Sequence, residues 1–554
     1  MGKQYSVKCH RMDIDGNGIV EFNGSAFHVP YLLDGESAKI ELVFNKSAEK
    51  IAKRYNFDED SLYAFADETD NINAQCALNE KPCRPSKPGK AAEAADKTLA
   101  DGTKAVMACA VEIENLSKDR VNPKCPVYYK CGGCTLLHAS YEKQLDIKQK
   151  ACEELLGKYC FVSKIIGMKE PFNYRYKVNA TFANGRQINK AVSGQEKKGV
   201  NAKISTGRGI SSQKRTANRR YELIAGTYEE NSHSVVSSRD CRIQSKKANE
   251  VIDTVRRLLM DFKIEAYNED RHTGLVRHCL VRIGYNSGEI MVVIVIAENV
   301  FPGKNNFIKK LIELQPDITT VLFNINKGTD SMVLGRSYTA GYGKGYITDS
   351  CMGIIFKISP ESFFQVNPVQ MKVLYEKAIE FAELKPEDSV LDAYCGTGTI
   401  ALLAARCSGM VTGVEINPKA VDDAKQNRLI NKGKLKAKTE FICADASEFL
   451  SAEAEAEESS DVSSDKKISD RFDVVFMDPP RNGSTLTFLN ALLKSMPKKI
   501  IYISCNPRTL ARDLNVLTKD NKYKAEKIQP VDMFTQTGHV ETVVLMERVS
   551  NEPR

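Results

Sequence analysis

The stretch Ser389-Val-Leu-Asp-Ala-Tyr-Cys-Gly-Thr-Gly-Thr399 decides the fold. It begins as an apolar strand, turns through two glycines, and continues into an apolar helical pattern. Further apolar strands follow at residues 410–415, 439–444, 472–477, 499–504, 525–531 and 540–548, with helical segments between all but the last two. This alternation predicts a parallel, doubly wound sheet with an antiparallel hairpin at one edge.

Ligands of such sheets bind beyond the carboxyl ends of the strands. Glu415 ends the second strand, where its carboxylate can grip ribose hydroxyls, and Asp445 follows the third, where it can face an adenine. The pattern Asp392-Ala-Tyr-Cys-Gly-Thr-Gly lacks the third glycine of the dinucleotide register. It therefore favours S-adenosylmethionine over NAD.

A thiol and two carboxylates are predicted at the same edge. Cys505 follows the fifth strand, Asp478 follows the fourth, and Glu541 opens the antiparallel seventh, whose start lies beside the other strands' ends. The next helix and the nearby Arg508 and Arg512 are expected to favour the Cys505 thiolate. The alternative is that Cys505 is a small buried hydrophobe.

These groups indicate a reaction. Addition of a thiolate to carbon 6 of a pyrimidine makes carbon 5 nucleophilic enough to attack an electrophilic methyl group. A carboxylate such as Glu541 then removes the carbon-5 proton. The segment Asp478-Pro-Pro-Arg481 alone would suggest methylation of a purine amino group, but that reaction needs no thiol.

A separate cluster of thiols precedes the central part of the chain. Cys125-Pro-Val-Tyr-Tyr-Lys-Cys131-Gly-Gly-Cys134 indicates a metal site, and Cys241 is the candidate fourth ligand. Zinc is one candidate metal. The asymmetric triplet with one remote cysteine favours an iron–sulfur cluster instead.

The remaining features set broad limits. The net charge of +8 permits a nucleic-acid partner without requiring one. The start of the chain has no signal-peptide pattern and no segment is long enough to span a bilayer, so we expect a cytoplasmic protein with reduced cysteines.

With these motifs in view, the chain resembles the RNA uracil-5-methyltransferase family. The resemblance is to the branch that has an N-terminal TRAM domain and a [4Fe–4S] cluster and that methylates uridine in 23S ribosomal RNA. It rests on the segments already quoted and on Gly16-Asn-Gly-Ile-Val, Phe27-His-Val-Pro, Ser362-Phe-Phe-Gln-Val-Asn-Pro, Ser504-Cys-Asn-Pro and His539-Val-Glu-Thr-Val.

The resemblance implies roles for individual residues. Cys505 would be the nucleophile, Glu541 the general base, and Phe363 or Phe364 a support for a flipped-out base. The implied cluster ligands are Cys125, Cys131, Cys134 and Cys241. The implied S-adenosylmethionine contacts are Gln365, Tyr394, Thr399, Glu415, Asp445 and Asp478. Ala393 and Thr399 depart from the usual family residues at their positions.

The implied architecture is multidomain. It comprises a TRAM-like, OB-like RNA-binding β-barrel at 1–57, an insertion and return to the barrel at 58–110, and an iron–sulfur segment at 111–161. A central α/β domain at 162–356 carries an insertion at 188–220. The α/β, Rossmann-like seven-stranded methyltransferase domain at 357–554 carries an insertion predicted to be disordered at 451–470.

The expected function is S-adenosylmethionine-dependent methylation of uridine carbon 5 in 23S ribosomal RNA by a monomer. Two alternatives stay open. One is the same chemistry on transfer RNA. The other is an iron–sulfur or zinc RNA-binding protein with an inactive methyltransferase domain, although the intact Cys505, Glu541 and Asp478 speak against it.

Overall fold

A computed structural model describes residues 4–22, 25–42, 97–98, 104–188, 220–229, 232–329, 332–451 and 471–549. The predicted insertions at 58–103, 188–220 and 451–470 lie almost entirely outside the described residues.

The N-terminal region is rich in strands, as predicted. Its sheet has the order β3-β2-β1-β4-β6-β5. Strand β3 also pairs with β6, in parallel, at Phe27–Val106 and His28–Met107, so the sheet closes on itself. The identity of this closed sheet as a TRAM-like, OB-like barrel stays a prediction. Its strands are β1 Tyr5–Met12, β2 Asn17–Phe22, β3 Ser25–Pro30, β4 Ser37–Leu42, β5 Lys97–Thr98 and β6 Lys104–Asn115.

A second sheet, with the order β13-β12-β11-β10-β7-β8-β9, forms the central region. Strand β11 is buried throughout because helices and neighbouring strands cover both of its faces. The helices are α1 Tyr141–Leu156, which precedes the sheet, α2 Lys246–Asp261 and α3 Lys304–Leu314. The strands are β7 Lys177–Ile188, β8 Arg220–Tyr228, β9 Val235–Ser237, β10 Val276–Ile283, β11 Ile290–Ile296, β12 Ile318–Ile325 and β13 Ser337–Gly343; a hairpin of β14 Ile347–Cys351 and β15 Ile354–Ile358 follows.

The C-terminal region contains the predicted doubly wound sheet, with the order β18-β17-β16-β19-β20-β22-β21. All neighbours pair in parallel except β22, which is antiparallel to both β20 and β21. The predicted fold of this region and its edge hairpin are confirmed. The helices are α4 Pro368–Ala382, α5 Thr399–Ala404, α6 Pro418–Ile430, a 3-10 turn Lys432–Lys434, α7 Leu486–Ser495 and α8 Pro507–Thr518. The strands are β16 Ser389–Asp392, β17 Met410–Glu415, β18 Lys438–Cys443, β19 Val474–Met477, β20 Lys499–Ser504, β21 Tyr523–Val531 and β22 Glu541–Arg548.

The loop between β21 and β22 is held by residues from far earlier in the chain. The ammonium of Lys148 on α1 lies 2.5 Å from the carboxylate of Asp532, and both side chains are fully buried. The backbone N–H of Thr135 donates to the carbonyl of Gln536 at 3.0 Å, and its hydroxyl accepts from the N–H of Gly538 at 3.1 Å. These bonds fix the chain direction that leads into β22.

Candidate active site

The ends of three neighbouring strands bring together the predicted thiol and carboxylates. Asp478 follows β19 and Cys505 follows β20, while Glu541 is the first residue of β22. Ser504 pairs with Thr542 across β20 and β22, so the next residues outward, Cys505 and Glu541, lie at the same end of the two strands. Both carboxylates act on the pKa of the Cys505 thiol. The predicted grouping is therefore present.

Asp478 and Glu541 form a buried acid pair. Burial raises the pKa of each carboxyl, and the negative charge of Asp478 raises the pKa of Glu541 further. Glu541 is only 3% exposed. Two carboxylates so close cannot both ionise easily, so the pair retains a proton at a pH where either alone would have lost it.

The expectation that the surroundings favour the Cys505 thiolate is wrong. Burial, Glu541 and Asp478 raise the pKa of the half-buried Cys505 thiol to about 11, against a smaller opposing effect of Arg481. The helix N-terminus does not compensate, since the side chain of Asn506 already caps α8 by accepting from the Arg508 N–H at 3.1 Å.

The two arginines expected to help the thiolate are engaged elsewhere. The guanidinium of Arg508 lies 3.4 Å from the carboxylate of Asp15 in the N-terminal region, and that of Arg512 lies 2.7 Å from the carboxylate of Asp513. Cys505 is therefore a thiol at neutral pH, and its proton must leave before the sulfur can act as a thiolate.

Arg481 is the cation that acts on Cys505. Its guanidinium lies 2.9 Å from Nδ1 of His539. Burial and the Arg481 charge lower the pKa of His539 to about 4, so the imidazole is neutral at neutral pH and is able to accept this hydrogen bond. Both residues stood in quoted motifs without an assigned role.

The glycines after β16 shape a cleft beside these groups. Gly396 has a φ of 53°, and a side-chain carbon placed on it would have no atom within 4 Å, so its backbone borders open space. Gly398 has a φ of 82° and a carbon there would lie 2.8 Å from the ring of Phe441. The Glu415 carboxylate accepts from the Gly396 N–H at 3.1 Å, which ties the second strand end to this turn.

The other predicted cofactor contacts lie on the same sheet edge or on the segment that enters α4. The hydroxyl of Tyr394 lies 3.1 Å from that of Ser484, and its phenol is close enough to Asp445 for that carboxylate to help raise the pKa of Tyr394. Thr399 is the buried first residue of α5, and Gln365 is buried just before α4. Their contacts with a cofactor stay predictions.

Two buried residues of this site were absent from the predicted set. Burial raises the pKa of Asp392 to about 7, with Asp478 and Glu415 contributing, and its Oδ1 has no hydrogen-bond partner among the described residues. Tyr375 on α4 is buried, and the charges of Asp478 and Glu541 raise its pKa further. Asp392 is the first residue of the glycine motif and could have been predicted from it, whereas no pattern in the sequence indicates a role for Tyr375.

Comparison with known proteins decides the family. Residues 249–549 match the family described as tRNA (uracil-5-)-methyltransferase. An uncharacterized RNA methyltransferase of Oceanobacillus iheyensis is 33% identical over 99% of this chain and 97% of the relative. Another, of Clostridium tetani, is 37% identical over 78% of this chain and 84% of the relative.

The chain belongs to the RNA uracil-5-methyltransferase family. As a member, the enzyme is an S-adenosylmethionine-dependent RNA methyltransferase of the uracil-5 class. A Pyrococcus abyssi tRNA (uracil-54, C5)-methyltransferase, solved with S-adenosyl-L-homocysteine, has the same fold. It aligns with a TM-score of 0.62 at 21% identity, over 98% of this chain and 100% of that one.

The cleft of this methyltransferase has groups that fit S-adenosylmethionine as the methyl donor. The open space beside Gly396 lets a ligand lie close to the protein backbone, and the carboxylate of Glu415 borders that space. The Oδ1 of Asp392, which has no hydrogen-bond partner among the described residues, can accept a hydrogen bond from the ligand.

No helix among the described residues is long and apolar enough to cross a membrane.

The cysteine segment of the methyltransferase does not confirm the predicted cluster. No group of three or more His, Cys, Asp or Glu in the described ranges is arranged to hold a metal ion. The four thiols nevertheless lie near one another, because the charges of Cys241, Cys131 and Cys125, in addition to burial, raise the pKa of Cys134. The donor set suits iron or zinc, while the [4Fe–4S] identity stays a prediction.

Proposed function

We propose that the enzyme methylates carbon 5 of a uridine in 23S ribosomal RNA through a covalent adduct with Cys505. The observation that carries the chemistry is the convergence of Cys505, Asp478 and Glu541 at one end of β19, β20 and β22. A thiol beside a buried acid pair suits addition to a pyrimidine, while a methyltransferase acting on an amino group has no use for it.

In this mechanism the Cys505 thiol loses its proton to solvent as the sulfur bonds to carbon 6 of the uracil, and the electron pair of the C5–C6 double bond moves so that carbon 5 becomes enolate-like. The methyl donor supplies the electrophilic methyl group that carbon 5 attacks. Glu541 then takes the carbon-5 proton, and the sulfur leaves carbon 6 as the double bond re-forms. The negative charge of Asp478 raises the pKa of Glu541 and thereby makes Glu541 a stronger base for this proton.

Ribosomal RNA is favoured as substrate by the closed N-terminal sheet and by the cysteine segment, which together resemble the 23S-specific branch. Transfer RNA is the alternative, and it is the substrate named for the Pyrococcus abyssi enzyme.

Incubation with labelled S-adenosylmethionine and, separately, unmodified 23S and transfer RNA tests the substrate. After digestion, we expect the label in 5-methyluridine from 23S RNA and none from transfer RNA. The reverse result would assign the enzyme to transfer RNA, and label in a methylated purine would overturn the uracil chemistry.

We also propose that Cys125, Cys131, Cys134 and Cys241 hold a [4Fe–4S] cluster. Their mutual electrostatic influence supports a shared ligand, because four thiolates held together need a cation to balance their charge. Protein purified without oxygen is expected to contain iron and sulfide in equal amounts and to lose both in Cys134→Ser. Cys407→Ser, at an exposed cysteine, is the matched control. Bound zinc without sulfide would contradict the proposal.

A further inference from the structure

Three cationic side chains lie together where the central region meets the methyltransferase region. Lys177 is the first residue of β7 and pairs in register with Arg282 on β10. Arg175 precedes Lys177 by two residues, so an extended chain directs both side chains to the same face. The charges of Arg282 and Arg175 both act on Lys177.

Two of these cations form no direct bond to a carboxylate. Within the described part of the chain, neither Arg175 nor Lys177 forms a side-chain hydrogen bond or an ion pair with a carboxylate, and the acidic groups on which the charge of Arg175 acts include the thiols of Cys134 and Cys241. Arg282 is 3% exposed and donates to the carbonyls of Ser359 and Ser362, while its Nε has no hydrogen-bond partner among the described residues; the charge of Asp423 acts on it from a distance. Burial, Arg282 and Arg175 together lower the pKa of Lys177 to about 7. Such an arrangement is costly unless an anion joins it.

The cations border the segment that carries the aromatic residues of the site. Arg282 holds that segment at Ser359 and Ser362, and the N–H of Tyr176, between the other two cations, donates to the carbonyl of Val366 at 2.8 Å. Phe363, within the segment, is 62% exposed. Phe364 instead packs on Phe356, with ring centroids 5.7 Å apart.

The cations also reach the catalytic side of the cleft. The charge of Arg175 helps to lower the pKa of His539, two residues before Glu541. An anion beside Arg175 and Lys177 would therefore lie between an exposed phenyl ring and the catalytic loop. Single-stranded RNA binds where its bases can stack on aromatic rings and its phosphates can contact nearby cations.

We infer that Arg175 and Lys177 bind a backbone phosphate of the RNA next to the nucleotide being methylated. The inference rests on the proposed function for the nature of the ligand. Arg282 is a positioning residue, because its hydrogen bonds to Ser359 and Ser362 hold the segment that carries Phe363. The phosphate would offset the mutual repulsion of the cations, and its position would fix which nucleotide enters the cleft.

Binding of single-stranded poly(U) at a series of salt concentrations tests the site without requiring methyl transfer. The plot of log affinity against log salt concentration has a negative slope, and removal of one phosphate contact decreases the steepness of that slope by about 0.7. We expect that decrease for Lys177→Met and an unchanged slope for Lys177→Arg. The matched control is Lys309→Met, at an exposed lysine on α3, which should keep the wild-type slope.

An unchanged slope in a folded Lys177→Met protein, or an equal decrease in Lys309→Met, would overturn the site, as would absence of poly(U) binding to the wild type. If Lys177→Met does not fold, an unchanged slope in Arg175→Gln decides against the site. Failure of the proposed function would look different, because the slopes would follow the expectation while no 5-methyluridine formed.

Discussion

Cys505→Ala is expected to lower the rate of uridine methylation by at least about 10⁴-fold, because it removes the sulfur that adds to carbon 6. The thiol stands at the end of β20, facing the acid pair of Asp478 and Glu541. Alanine fills most of the same volume in a half-buried position, so the fold and the cleft should persist. Single-turnover methylation of the substrate RNA measures the effect.

The control is Cys407→Ala, which removes an exposed thiol outside the site and should leave the rate unchanged. Cys505→Ala should also bind S-adenosylmethionine with wild-type affinity, which separates loss of the nucleophile from loss of the cleft. Methylation that persists in Cys505→Ala within tenfold of the wild type would leave Cys505 as a packing residue.

Glu541→Gln is expected to trap the reaction after methyl transfer. Glutamine matches the buried carboxyl in shape but cannot take the carbon-5 proton, so the methylated uracil stays bonded to Cys505. Turnover should fall by about 10² to 10⁴-fold while a methylated protein–RNA adduct accumulates. Denaturing electrophoresis with labelled methyl donor detects the adduct.

Glu547→Gln, at the far end of β22, is the matched control and should give neither effect. Loss of the Glu541 charge should also lower the pKa of Cys505 from about 11, so that its alkylation at about pH 8 becomes faster. Normal turnover without an adduct would exclude Glu541 as the base.

The sequence was informative where a residue's position follows from strand order. Alternation of strands and helices placed Asp478, Cys505 and Glu541 at one edge, because parallel strands end on the same side and β22 begins there. The sequence misjudged the thiol, whose pKa depends on side chains that converge from three strands and on the cap that Asn506 supplies. Tyr375 was missed since its contact with the acid pair depends on how α4 packs. No pattern in the sequence reports such packing.

The bond between Thr135 and Gly538 spans 403 residues of chain and has a consequence for synthesis. At about 5 to 20 residues per second, the partner of Thr135 leaves the ribosome about 20 to 80 s after it. For most of that interval α1 lacks the strand and helix that later cover Cys152 and Leu156, and Lys148 lacks its carboxylate. A nascent chain of this enzyme therefore exposes the apolar face of this helix until almost its last residues emerge, which makes that face a natural binding site for chaperones.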